Sequence, residues 1–187
     1  MHDNQALNEA ESRMDATVAD AAHKLATVRT GRASLAMLDG IRVDYYGTPT
    51  PLNQVAKLSV PEPTMIVAQP FDPSTLGAIE KAIRTSDLGL NPANDGKIVR
   101  IPIPALTEER RKQMVKKTRA MGEEAKTAVR QIRREANEEI KRQEKSSSIS
   151  EDEARRFLDE AQKITDRHTQ KIEELCRRKE TELLEMA

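Results

Sequence analysis

Residues 114–140, with the sequence MVKKTRAMGEEAKTAVRQIRREANEEI, decide the fold of this chain. Apolar and small side chains recur here every three or four residues, the spacing that places them on one face of an α-helix. These residues are Met114, Thr118, Met121, Ala125, Ala128, Ile132, Ala136 and Ile140. A long polar helix with such a narrow apolar face is only marginally stable alone, so the pattern predicts a helix packed against other helices.

Signals for helix ends lie on both sides of this stretch. The helix is predicted to begin after Thr107, a good N-cap residue, with Glu108 and Glu109 in its first turn. It ends where the sequence KSSSIS breaks the spacing, and Ser150 and Glu153 form the capping box of the next helix. The predicted apolar face of that next helix is Ala154, Phe157, Ala161, Ile164, His168, Ile172, Leu175 and Leu183.

A third helix is predicted near the N-terminus, ending before Gly31. Its apolar face is Leu7, Ala10, Met14, Val18, Ala21, Leu25 and Val28. The link at residues 146–149 is short, so the last two helices should be antiparallel neighbours. The three helices together predict a bundle.

Proline and glycine set residues 31–104 apart from both flanks. All nine prolines lie within 49–104, and six of the seven glycines lie within 31–96. Alternating apolar residues and turn signals predict a mixed segment here. The predicted strands are 41–46, 55–60, 64–69 and 97–104; the predicted helix is 73–86, and turns are expected at 47–52 and 91–96.

These segments predict an α+β protein in which a small β/α/β domain is inserted into a long three-helix bundle. The bundle is expected to comprise residues 1–29 and 105–187, and the inserted domain residues 31–103. The chain passes between them near residues 30–31 and 104–105.

The composition restricts the class of function. The chain has 37% hydrophobic and 2% aromatic residues, which suits long amphipathic helices rather than one large core. No stretch has the length of a membrane span or the features of a signal peptide, so a soluble cytoplasmic monomer that does not bind membranes is expected. We also expect no cofactor, metal site or catalytic residue.

Few residues could carry out catalysis. His2 is terminal, and His23 and His168 lie on predicted helices, where surface or packed positions are the simpler interpretation. Cys176, the only cysteine, lies beside the predicted apolar face and is interpreted as a packed or unreactive thiol. Gly122 lies inside the predicted long helix, where glycine costs about 0.5–1 kcal/mol relative to alanine. No feature of the sequence explains that glycine.

The long helix carries an excess of positive charge in a chain with 31 basic and 31 acidic residues. Residues 105–145 contain 13 basic and 8 acidic side chains, whereas both other helical segments contain more acidic than basic ones. Measured from Met114 at 100° per residue, several cations fall between about 100° and 200°. They are Lys112, Lys116, Arg119, Lys126, Arg130 and Arg133, with Arg134 beside them.

Two interpretations of this basic stripe remain open from the pattern alone: a solvated helix face or a phosphate-binding surface. The scarcity of aromatic residues disfavours recognition of single-stranded bases by stacking. Binding would therefore be to the backbone and shape of a folded RNA.

Four stretches closely resemble the bacterial ribosome recycling factor family: VRTGRASLAMLDGIRVDYYGTPTPLNQVA, SDLGLNP, PIPALTEERRKQMVK and AVRQIRREAN. The resemblance covers essentially the whole chain, in order. It implies an L-shaped protein of tRNA dimensions, made of a three-helix bundle and an inserted β/α/β domain. It also implies binding to the large subunit of post-termination ribosomes through ribosomal RNA, and subunit separation with elongation factor G and GTP, without bond chemistry by the factor itself.

The resemblance also implies roles for individual residues. The RNA-contacting arginines of the family match Arg110, Arg130 and Arg133, and those near the first crossing match Arg29 and Arg32. The hinge residues match Thr30, Gly31, Pro104 and Ala105.

Two other functions compete with this interpretation. A structural coiled-coil adaptor without RNA binding would need only the apolar faces, and it leaves the proline-rich insertion unexplained. An enzyme is disfavoured by the scarcity of histidine, cysteine and phosphate-binding loops.

Overall fold

The computed structural model describes residues 3–185, which form two compact units. The bundle unit contains the residues up to Thr30 together with Glu108–Glu185, and the inserted unit is Gly31–Thr107. The elements in chain order are α1 (Gln5–Ala26), β1 (Arg42–Tyr45), β2 (Thr48–Pro51), α2 (Leu52–Val55), β3 (Ala56–Glu62), β4 (Met65–Pro70), α3 (Leu76–Arg84), β5 (Ala93–Asn94), β6 (Val99–Pro102), α4 (Glu108–Lys145) and α5 (Glu151–Glu185).

The bundle unit consists of the three predicted helices. At α1, the side chain of Asn4 caps the helix by accepting a hydrogen bond from the backbone N–H of Ala6. At α5, the backbone N–H of Ser150 donates to Glu153 at 2.8 Å, and the backbone N–H of Glu153 donates to the Ser150 hydroxyl at 3.3 Å. The predicted capping box is therefore confirmed.

Contacts between side chains give the directions of the helices. Asn4 bonds to Gln143 and Arg13 to Glu135, so α1 is antiparallel to α4. The α4–α5 pairs Arg133–Gln162 and Arg119–Glu180 also run in opposite senses along the two helices. The prediction that the last two helices are antiparallel is confirmed.

The apolar faces of α1 and α5 are buried largely as predicted, but the face of α4 is not. Ile132, Ala136 and Ile140 are buried, whereas Ala128 is exposed and the predicted face is wrong there. Val129 and Gly122 are buried in addition. Because α1 and α5 both pack on α4, the buried face of α4 is wider than the spacing suggests. The centre of that buried face lies about 50° around the helix axis from Met114, on the side of Gly122.

The inserted unit contains a four-stranded antiparallel sheet in the order β3-β4-β6-β5 and a separate β1-β2 hairpin. Its core includes Val43, Ile66, Val99 and Ile101 from the strands, with Ile79 and Ile83 from α3. The spacing of the isoleucines in α3 places both on one side of the helix, which explains why that side packs against the sheet.

Two predicted turns contain strands instead. The hairpin turn is only Tyr46 and Gly47, both at positive φ (49° and 83°), and Thr48–Pro51 pairs with β1. Two prolines obscure this strand in the sequence, but proline is tolerated at a sheet edge because no ladder hydrogen bond is needed there. Ala93–Asn94, predicted as part of a turn, pairs with β6 as the two-residue strand β5.

None of the helices within residues 3–185 combines the length and hydropathy of a membrane span.

Candidate nucleic-acid interface

The cations of the predicted basic stripe differ in whether carboxylates already neutralise them. Lys116, Arg130 and Arg134 are exposed and make no ion pair with any residue in the range 3–185. Their guanidinium and ammonium groups are therefore available to a polyanion. We call these three residues the open cations.

The second set lies on the α5 side of α4 and already has partners. The Nε and Nη2 atoms of Arg119 each donate to the Glu180 carboxylate at 3.0 Å. Lys126 lies 2.6 Å from a Glu123 oxygen and 3.6 Å from one of Glu173, and its side chain is only 15% exposed. The hydrogen bond to Glu123 is the main cause that raises the pKa of Lys126, so the ammonium stays charged.

The residues of the predicted basic stripe therefore differ in how far they are exposed and ion-paired, and Lys126 is the least exposed of the paired ones. The buried face of α4 lies closer to Lys126 and Arg133 than the Met114 line implied, because Gly122 and Val129 contribute to the core. Lys126 consequently lies at the edge of the α4–α5 contact, where carboxylates of both helices neutralise its charge.

Arg133 lies between the two sets. Its Nη1 donates to the side-chain oxygen of Gln162 at 2.8 Å, and the Gln162 amide donates to Asp166 at 2.7 Å. Its Nε is buried without a hydrogen-bond partner among the described residues. The chain of polar contacts from α5 restricts the guanidinium to one position without neutralising it by a direct ion pair.

The remaining predicted RNA-binding residues are also exposed. Arg110 donates to Gln113 at 2.9 Å, and Lys112 pairs with Glu108 at 2.7 Å. Arg29 belongs to the bundle unit and Arg32 to the inserted unit.

The unexplained Gly122 has a clear packing reason. A Cβ atom at this position would lie 2.5 Å from the Sγ of Cys176 on α5. The thiol is half-buried, its Sγ lies 3.8 Å from the carbonyl oxygen of Thr118, and burial raises its pKa. Gly122 therefore allows α4 and α5 to approach where Cys176 packs, and the prediction of a packed thiol is confirmed.

His168 is a packed residue of the α5 face, as predicted, and it joins α5 to α1. Its Nδ1 lies 2.7 Å from the carbonyl oxygen of Ile164, and its Nε2 lies 2.8 Å from Oδ1 of Asp15. Both nitrogens can donate at once only in the imidazolium form. The hydrogen bond from His168 is the main cause that lowers the pKa of Asp15, and Lys171 lies 3.7 Å from the same carboxylate oxygen.

Of the two other histidines, only His23 lies within the described residues. His23 is exposed in the last turn of α1, as a helix-surface histidine was predicted to be. His2 lies outside the described residues. Within residues 3–185, no group of three or more His, Cys, Asp or Glu side chains is placed to hold a metal ion.

At the predicted hinge positions, Gly31 has the most distinctive geometry. Its φ of +79° lies in the left-handed region that favours glycine, and a Cβ there would lie 3.4 Å from the backbone nitrogen of Leu106. The two units meet in sequence at Thr30–Gly31 and again at Thr107–Glu108, three residues beyond Pro104.

Comparisons with known proteins agree on one family. A sequence model described as "Ribosome recycling factor" matches residues 21–184. The ribosome-recycling factor of Desulfatibacillum aliphaticivorans is 56% identical over 177 residues, covering 95% of this chain and 96% of the relative. That of Saccharopolyspora erythraea is 53% identical, covering 98% and 99%.

Two solved structures extend the similarity to the fold. A solution structure of the ribosome recycling factor is 42% identical with a TM-score of 0.71, covering 96% of both chains. A second chain is 47% identical with a TM-score of 0.61, covering 96% of this chain and 97% of its own. It comes from models of the T. thermophilus ribosome recycling factor and the E. coli elongation factor G bound to the E. coli post-termination complex.

Proposed function

Because the chain belongs to the ribosome recycling factor family, we propose that it recycles ribosomes after translation termination. It binds the large subunit of the post-termination complex and, with elongation factor G and GTP, separates the subunits and releases the messenger RNA. One observation carries this proposal. A chain 47% identical to it and equal in extent is described together with elongation factor G on that complex.

The RNA-binding residues that we propose include Arg110, Arg130 and Arg133 of α4. Two further open cations, Lys116 and Arg134, add unneutralised positive charge on the same helix. Phosphate groups of RNA attract such cations strongly, and arginine can contact them through two N–H groups at once. Lys112, Arg29 and Arg32 complete the proposed surface.

Arg119 and Lys126 have a lesser role in this proposal than the sequence indicated. Each is already paired with a carboxylate of α5. An RNA phosphate would have to compete with Glu180 or Glu173, so binding would release less free energy at these positions.

We propose Thr30, Gly31, Pro104 and Ala105 as the hinge between the units. The left-handed backbone of Gly31 and the fixed φ of Pro104 make these crossings defined breaks in regular structure. The factor itself performs no bond chemistry, acts as a monomer and works in the cytoplasm, where it meets ribosomes.

Cosedimentation with isolated large subunits tests the RNA-binding part of this proposal. The parent protein should pellet with the subunits, and the Arg130→Ala, Arg133→Ala variant should pellet much less while keeping its circular-dichroism spectrum. If the parent protein stays in the supernatant at low salt, the adaptor function without RNA becomes the better account.

A further inference from the structure

Three cations of α4 and three acidic residues of α5 face one another at the same spacing. Both sets recur every seven residues, the heptad spacing that keeps side chains along one line between paired helices. The cations are Arg119, Lys126 and Arg133, and the acidic residues opposite them, in the same order, are Glu180, Glu173 and Asp166. We call this arrangement the charge ladder and each facing pair a rung.

In the first two rungs a carboxylate of α5 pairs directly with the cation. The Nε and Nη2 atoms of Arg119 donate to the two oxygens of Glu180, both at 3.0 Å. The Nζ atom of Lys126 lies 3.6 Å from an oxygen of Glu173. Glu123 of α4 adds a second carboxylate 2.6 Å from the same ammonium group. Both cations are therefore neutralised before any RNA approaches.

In the third rung an amide stands between the cation and the carboxylate. The side-chain oxygen of Gln162 accepts from Nη1 of Arg133 at 2.8 Å, and its nitrogen donates to Asp166 at 2.7 Å. No carboxylate within residues 3–185 forms an ion pair with Arg133. The third rung thus holds the guanidinium in position and leaves its charge uncompensated.

The contact between Arg119 and Glu180 has the geometry that arginine also uses for phosphate, with two N–H groups donating to two oxygens of one anion. The side chain of Arg119 is 68% exposed and that of Glu180 only 22%. The carboxylate therefore lies within the contact between α4 and α5, while the guanidinium faces solvent. A phosphate group has to displace Glu180 before Arg119 can bind it.

Stabilisation of the helix pair is the simpler role for such a ladder, and it explains little here. Exposed ion pairs contribute little to stability because water screens them. The two helices already share an apolar core that includes Val129, Ile140 and Ile164. A ladder that served stability alone would also favour a direct ion pair in the third rung, where the chain has Gln162.

We propose that the charge ladder sets the RNA specificity of this protein. Non-specific binding to RNA grows with the number of cations that can neutralise phosphates. Glu180 and Glu173 withhold Arg119 and Lys126 from polyanions in general, and Gln162 leaves Arg133 available. Competition against unintended ligands is a common source of specificity. The inference rests on the proposed function, under which the RNA of the large subunit is the intended ligand.

The first experiment measures filter binding of the full-length protein to isolated large subunits and to a short RNA duplex of arbitrary sequence. Glu180→Gln should bind the duplex about threefold to tenfold more tightly, with a salt slope larger by up to about one unit, because Arg119 is released. Its affinity for large subunits should change by at most about twofold, because the open cations carry that contact. The specificity ratio therefore falls.

Glu174→Gln is the matched control for Glu180→Gln. It removes the same charge from an exposed position of α5, where Glu174 contacts Gln170 of the same helix. Its affinity for the duplex should stay within about twofold of the parent. If Glu174→Gln and Glu180→Gln tighten duplex binding equally, overall charge sets the affinity and the proposal is overturned.

A double-mutant cycle separates the release of Arg119 from every other effect of Glu180→Gln. In an Arg119→Ala background, Glu180→Gln should no longer raise the affinity for the duplex. Circular-dichroism spectra and melting temperatures establish that each variant is folded. A gain in duplex affinity that persists without Arg119 would contradict the proposal.

The second experiment adds a carboxylate to the third rung. Gln162→Glu should pair with Arg133 and weaken large-subunit binding at least about fivefold, since a phosphate must now compete for the guanidinium. Gln170→Glu adds the same charge to the solvent-facing side of α5 and should stay within about twofold of the parent. Large-subunit binding by Gln162→Glu as tight as that of Gln170→Glu would overturn the proposal.

Failure of the proposed function gives a different result. If the folded parent does not bind large subunits at all, no intended RNA exists, and the proposed function and the ladder proposal both fall. If the parent binds large subunits but Glu180→Gln leaves duplex affinity unchanged, the proposed function stands and only the ladder proposal is wrong.

Discussion

At the scale of single residues, Gly122 and Cys176 show a constraint that spacing along the chain cannot reveal. The sequence shows a glycine that weakens a helix and a cysteine beside an apolar face, 54 positions apart. Only the packed helices place the two side chains in the same space. The burial of Cys176 could be predicted from the sequence, but the reason for Gly122 could not.

Gly122→Ala is expected to destabilise the bundle. The added Cβ would lie 2.5 Å from Sγ of Cys176, and overpacking of this kind costs about 1–3 kcal/mol, more than the gain in helix propensity of about 0.5–1 kcal/mol. Urea unfolding measures the difference. In a Cys176→Ala background the same change should be neutral or stabilising. Equal destabilisation in both backgrounds would show that the thiol is not the obstacle.

Asp15→Asn tests the link between α1 and α5 through pH. The pKa of Asp15 is lower in the folded protein than its ordinary value of 3.8, so the ionised carboxylate stabilises the fold. This stabilisation is complete at pH values above 3.8 and is lost as the pH falls through the lower folded-state pKa. At pH 7 the melting temperature of the variant should therefore be about 2–4 °C below that of the parent. Below pH 3.8 the two melting temperatures should become equal as Asp15 is protonated.

Asp20→Asn is the matched control for that series. It removes the same charge from α1, but at an exposed i,i+4 pair with Lys24. If the melting temperature of Asp20→Asn depends on pH as strongly as that of Asp15→Asn, the cause is the loss of one negative charge from α1 and not the contact with His168.

At the scale of the element, α4 shows what periodicity determines and what it leaves open. Residue spacing predicted its length, its partners and most of its buried residues. The predicted centre of its buried face differs by about 50° from the observed one, because two neighbouring helices bury a broader face than one line of apolar residues defines. Because of this rotation, some cations of α4 contact α5 and others stay open to solvent.

The two classes of cation should respond differently to removal. Arg130→Ala is expected to weaken binding to large subunits and to reduce the salt slope of binding by up to about one unit, since an open phosphate contact is lost. Arg119→Ala should change both quantities much less, because Glu180 already neutralises that guanidinium. Filter binding over a range of potassium chloride concentrations measures both. If the two variants lose affinity and salt dependence equally, Arg119 and Arg130 contact RNA alike and the basic stripe is one continuous binding surface.

The polar chain from Asp166 through Gln162 to Arg133 should matter for RNA binding although only Arg133 would touch RNA. Gln162→Ala is expected to lower large-subunit affinity about threefold to tenfold, since the freed guanidinium loses its fixed position. Gln170→Ala, which removes the exposed i,i+4 contact with Glu174 on the same helix, is the control. If Gln162→Ala binds as tightly as the control, positioning by α5 is unimportant.

At the scale of the whole molecule, proline and glycine usage predicted the architecture well. Proline and glycine are concentrated in residues 31–104, and this distinguished the inserted unit from the bundle. In the bundle helices, apolar residues recur every three or four positions instead. The short strands β2 and β5 escaped detection, because two to four residues with proline or asparagine give almost no alternation to recognise.

Light scattering by post-termination ribosomes mixed with this protein, elongation factor G and GTP tests the proposed recycling function directly. Scattering should fall as the subunits separate, and only when all three are present. The rate should be at least about tenfold slower for Arg130→Ala, Arg133→Ala at subsaturating protein, and it should recover at higher concentration. Unchanged scattering with the folded parent protein, or a double variant as fast as the parent, would contradict ribosome recycling through these arginines.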